Sequence, residues 1–184
     1  MVSGTRRLID MVDFAFGSPV YGLTKKARTE LVRNDGADWL GMLDQLGRLE
    51  ICPNDFKAAK RLHEEFRRTL KGMAPGIEDC GLICLAEKHS LPLLTDDQGL
   101  YRAAIESKIR CADLFDFCLA ALHEGKSGMT DLHSWFGNLA GSAPNFMPMG
   151  WKQLRAGGSD WPRDCEKLML ERRSPALIAK VLFG

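Results

Sequence analysis

The sequence predicts an α/β protein, with helices layered on a short, mostly parallel sheet and an α-rich extension at the C-terminal end. Three observations lead there. Helical patterns alternate with the short apolar runs VYGLT, LEICP and LPLLT, the alternation from which parallel sheets are built. Those helical patterns carry start and stop signals of their own. After Gly125 the chain turns rich in Gly, Ser and Pro. The organisation expected is a core over 1–124 and an extension over 125–184, with no internal repeat.

Each element has a local reason. RRLIDMVDFAF (6–16) has two readings. Leu8, Val12, Ala15 and Phe16 suit one helix face, while LIDMVDF also passes as a strand. GSP at 17–19 breaks the pattern, and VYGLT (20–24) is a short strand. KKARTELVRN follows as a helix, with Thr24 as its cap and Ala27, Leu31 and Val32 on the inner side. DWLGMLDQLGRL (38–49) is a further helix, and LEICP (49–53) is a strand ended by proline. NDFKAAKRLHEEFRRTLKG (54–72) has Asn54 or Asp55 as cap and an apolar stripe of Phe56, Ala59, Leu62, Phe66 and Leu70. Helix 77–89 leads through SLP into the strand LPLLT, and the next helix begins at DDQG. IRCADL is a short strand or sheet edge, and FDFCLAALHEG is a helix stopped by glycine. Beyond it, helical pieces are expected near 130–139, 163–173 and 175–183.

Composition narrows the function without choosing it. Lys and Arg number 25 against 24 Asp and Glu, so no global field marks a nucleic-acid binder, although a local basic groove stays open. No apolar run approaches the roughly 18 residues of a membrane helix. Asp10 and Asp13 interrupt what would otherwise pass for a signal peptide. The six cysteines form no C-x-x-C pair and read as buried reduced thiols, which points to the cytoplasm.

The carboxylates carry the chemistry. Asp97 follows LPLLT with only Asp96 between them, at the strand end where open α/β sheets place their working crevice. Asp79 lies in the first turn of helix 77–89. A helix that turns back into its strand runs antiparallel to it, so the helix start returns beside the strand end. Asp79 and Asp97 are therefore expected at one rim. Glu30, in the helix after VYGLT, is expected to face the same place. Gathered carboxylates repel unless a cation sits among them, and oxygen donors suit hard divalent ions such as Mg²⁺ or Mn²⁺. A plainer reading uses the same residues: Asp79 complements a helix dipole, and Asp97 caps the next helix. Glu78 lies about 100° round the helix from Asp79, and Asp96 suits a capping role.

These residues also resemble a family pattern. D79-C-G-L-I-C-L-A86, then LPLL, then T95-D-D97-Q-G-L100 is similar to the helix and strand motifs of the PIN-domain nucleases, and VYGLTKKARTEL looks like their strand and glutamate-bearing helix. LYRAAIESKIRCADLFDFCLAALHEG is similar to their closing helix–strand–helix, so the likeness covers about 6–125. It implies a three-layer PIN-like fold and a Mg²⁺- or Mn²⁺-dependent ribonuclease, with Asp79, Asp97 and Glu30 as catalytic metal ligands. It further implies an RNA substrate and a toxin-like role, with an antitoxin or a second copy of the chain as partner. The family's opening strand, ending D-[TS]-[NS], has no good counterpart here. Asp10 is the candidate fourth ligand, but MVD follows it where small polar residues belong. Three accounts fit: a start placed too far downstream, a domain that has lost activity, or a compact variant using Asp10 or Asp13. The second account makes the protein a non-catalytic binding or assembly module.

Other features have ordinary readings. EGKS (124–127) lacks the earlier glycine and the preceding strand of a phosphate loop. His63, His89, His123 and His133 show no metal-ligand spacing. Arg61, Arg67, Arg68 and Lys71 give helix 54–72 a basic side, either solvated or suited to an RNA backbone. Trp135, Trp151 and Trp161 either stack on bases or anchor the extension.

Overall fold

The computed structural model describes residues 21–33, 40–41, 44–47, 49–51, 55–142, 148, 176 and 178–180. The segment 6–16, and Asp10 with it, lies outside them, as does the helical pattern at 163–173. The chain is mixed and helix-rich with short strands. In order come β1 (Tyr21–Leu23), α1 (Lys25–Leu31), β2 (Leu49–Ile51), α2 (Phe56–Thr69), α3 (Ile77–His89), β3 (Leu93–Leu94), α4 (Gln98–Glu106), β4 (Cys111–Ala112), α5 (Leu114–His123) and α6 (Met129–Ser142). Residues 176 and 178–180 are helical as well.

The strands pair in twos. β1 and β2 run parallel with Gly22 opposite Glu50, so the helix between them serves as a crossover, as parallel pairing requires. β3 pairs with β4. Leu93 N–H donates to Arg110 O at 2.8 Å and Thr95 N–H to Ala112 O at 3.1 Å. Donors and acceptors advance together, which is the parallel pattern.

The chain divides into two units. One comprises Ser18–Leu93 and Asp97–Cys111, and its core is helical. Ala59, Phe66 and Leu70 meet Cys80 and Ile83 of α3 and Leu100 and Ala103 of α4, with Leu62, Ile77, Leu93 and Ile109 packed around them. The expected stripe on α2 is therefore present from Ala59 onward, but Phe56 is 56% exposed. It sits in the first turn, ahead of the stretch that the core covers. The helix expected over 38–49 is shorter than its pattern. Leu46 and Gly47 form a turn, and Gly47 takes φ +65°, a conformation that stops a helix and suits glycine.

The other unit takes in 94–96 and the described residues from 112 onward. All of Leu114–Ala121 is buried in α5. Phe115 meets Phe136 of α6 edge-on, with ring centroids 5.8 Å apart, a favoured aromatic geometry. Trp135 is buried with its ring 4.9 Å from that of Phe136, so it offers no open stacking face. Trp151 and Trp161 lie outside the described residues. Among the described residues, no helix is long and apolar enough to cross a membrane.

Candidate functional site

The site begins with two helix starts in one unit. Asp79 is the third residue of α3, and its Oδ2 accepts the N–H of Gly76 at 3.1 Å. Such a reach back to the N-cap satisfies one of the donors a helix start leaves over, and the charge complements the helix dipole. Asp97 is the N-cap of α4; its Oδ1 accepts the N–H of Leu100 at 2.7 Å. Asp79 is half-buried and Asp97 exposed.

One short loop touches both. Gly76 ends the connection from α2 to α3 and donates to Asp79. Three residues earlier, the carbonyl oxygen of Met73 lies against Gly99, so close that a β-carbon there would stand 2.7 Å from it. Gly99 is two residues beyond Asp97. His63 holds the middle of the loop, with its Nδ1 2.8 Å from Pro75 O. The starts of α3 and α4 thus both abut 73–76, while Cys80 and Ile83 share a core with Leu100 and Ala103.

Glu30 is the penultimate residue of α1; its side chain and all of Asp10 lie outside the described parts. Glu78 and Asp96 are half-buried. Among the described residues, no group of three or more His, Cys, Asp or Glu is placed to hold a metal ion. The oxygen donors of Asp79 and Asp97 suit a hard divalent cation in kind, and each carboxylate also accepts a backbone N–H at a helix start.

Cys80 neighbours Asp79 and is fully buried. Burial first, then the charges of Asp79 and Cys84, push its thiol from 9.0 up to about 12. Burial, with Glu87 and Asp55, also raises Cys84. Both stay thiols at neutral pH, poor nucleophiles and poor metal ligands. Among the described residues Cys80, Cys84, Cys111 and Cys118 form no disulfide, and all but the half-buried Cys84 are buried. Cys52 and Cys165 lie outside the described residues.

Sequence reasoning passed over one acidic pair. Asp113 and Asp116, each 1% exposed, stand where β4 gives way to α5. Asp113 caps that helix, its Oδ1 accepting the N–H of Asp116 at 2.9 Å. The available signal was an aspartate at the end of an apolar strand, much like the cue that marked Asp97.

No protein-family model, curated protein or solved structure matches the chain.

Proposed function

We propose that residues 1–124 form a PIN-like three-layer domain, followed by an α-rich extension over 125–184, and that its activity is metal-dependent hydrolysis of RNA. Asp79, Asp97 and Glu30 are the ligands in this reading, with Asp10 as a fourth. The observation that carries it is the loop 73–76, which abuts the helix starts bearing Asp79 and Asp97. A Mg²⁺ or Mn²⁺ held by these residues would activate water and offset negative charge on a phosphodiester. The carboxylates would orient that ion, and the bonds from Gly76 N–H to Asp79 and from Leu100 N–H to Asp97 restrict those two side chains before any ligand arrives. A toxin-like role, with an antitoxin or a second copy as partner, belongs to the same proposal.

A second reading has its own support. Asp97 is the N-cap of α4 and Asp79 reaches back to Gly76, the N-cap of α3, and such bonds are wanted at any helix start. On that ground the chain is a PIN-like binding or assembly module without catalysis.

RNA cleavage in Mn²⁺ by the chain and by Asp97→Asn separates the two. Asparagine keeps a side-chain oxygen for Leu100 N–H and loses only the charge. Cleavage by the parent alone supports catalysis. Equal cleavage by both, or by neither, removes it.

A further inference from the structure

The geometry points to the outward side of α2 as a surface that binds the phosphate backbone of single-stranded RNA. The choice of RNA rests on the ribonuclease reading; the surface itself rests on charge and exposure. Helix α2 turns Ala59 and Phe66 into the core. Lys57, Lys60, Arg61, Arg67, Arg68 and the following Lys71 are all exposed. Only Glu64 and Glu65 oppose these six cations within 56–71, whereas the whole chain carries 25 cations and 24 anions. Asp55 caps the helix just before Lys57 and Glu106 meets Thr69 near its end, yet the cations still outnumber the acids along this helix.

The shape suits a strand rather than a single ion. An open pocket of about 640 Å³ follows the helix, lined by Lys57, Lys60, Arg61, Glu64, Glu65 and Arg68. At 1.5 Å per residue, Lys57 and Arg68 stand roughly 16 Å apart along the axis. A linear polyanion meets cations at both ends of that span, and a lone phosphate meets only one. Glu64 lies four residues from both Lys60 and Arg68, and Glu65 four residues from Arg61, so each acid has a cation next to it on the helix surface. Guanidinium planes and aliphatic stems beside an open pocket also give bases something to stack on. An acidic peptide makes no use of that.

The test is binding of the full chain to labelled single-stranded RNA of roughly 12 nucleotides, by fluorescence anisotropy in EDTA. The comparison is a variant carrying Lys57→Ala, Lys60→Ala, Arg61→Ala and Arg68→Ala. The sites are exposed and alanine favours helix, so an unchanged circular dichroism spectrum is expected. Removing four phosphate contacts should weaken binding about tenfold or more. It should also flatten the dependence of log K on log salt by about 3, at roughly 0.7 per contact. Glu64→Gln with Glu65→Gln should tighten binding. An unchanged affinity and salt slope in the alanine variant overturns the inference. So does competition by poly-glutamate as effective as that by unlabelled RNA, which would assign the face to an acidic protein. Binding in EDTA needs no metal. Retained binding without cleavage would therefore remove the catalytic reading alone, and cleavage without binding at this face would remove this one alone.

Discussion

Gly99 lies directly beneath the carbonyl oxygen of Met73: a β-carbon added to it would stand 2.7 Å from that oxygen and 3.3 Å from Asp97 Oδ1. Backbone does not yield as a flexible side chain does, so the loop or the start of α4 must shift to admit a methyl group. Gly99→Ala is expected to cost about 1–3 kcal/mol, read as a lower denaturant midpoint. Gly137, in α6, has nothing within 4 Å of its would-be β-carbon. There the same change should add about 0.5–1 kcal/mol, because alanine restricts the unfolded chain more than glycine does.

The caps give a second prediction. Asp97→Ala should lose about 1 kcal/mol with its bond to Leu100 N–H, while Asp97→Asn should stay within a few tenths of the parent. Asp79→Asn keeps an acceptor for Gly76 N–H but loses a charge worth about 0.3–1 kcal/mol at a helix start. Urea titrations of the three variants measure these differences. A large loss in Asp97→Asn would mean that its charge matters to folding beyond the cap.

Two phenylalanines of one expected stripe should behave oppositely. Phe66 is 3% exposed and Phe56 is 56% exposed. Phe66→Ala should cost about 3–5 kcal/mol, and Phe56→Ala about 0.5 kcal/mol or less. Equal losses by chemical denaturation would show that Phe56 is covered in solution.

Cys80 sets the sign of an alkaline effect. Its thiol is raised from 9.0 to about 12 by burial and by Asp79. The contribution is complete below pH 9, where both states hold the proton. Between 9.0 and about 12 the unfolded chain ionises first, so stability falls as pH rises. Cys80→Ala should show a shallower decline over that window than the parent. Iodoacetamide should label Cys80 in urea and spare it in the native protein.

Much of this architecture is legible in the sequence, and particular residues show where legibility ends. The α3 pattern was readable because Asp79 marks its first turn and Ser90 with Pro92 follows its last. The strand LPLLT was readable as a strand, but only Leu93 and Leu94 belong to β3. Its length depends on how far the partner segment runs alongside, and local residues do not encode that. Phe56 fits the helical period as well as Phe66 does; only the reach of the core separates them. Asp79 and Asp97 show the deepest limit. A cap and a metal ligand ask for the same residue at the same helix start, so spacing cannot distinguish the roles.

The helix pair α2 and α3 bears on how the chain folds. A connection of a few residues joins them, and Ala59 and Phe66 pack with Cys80 and Ile83, so their contacts span little sequence. Closing short loops costs little entropy and favours rapid formation. The pair β1 and β2 joins residues farther apart along the chain than Phe66 is from Ile83, and among the described residues its partners are Tyr21 with Leu49, Gly22 with Glu50, and Leu23 with Ile51. The helical hairpin is thus expected to form first and the short parallel ladder to close after it.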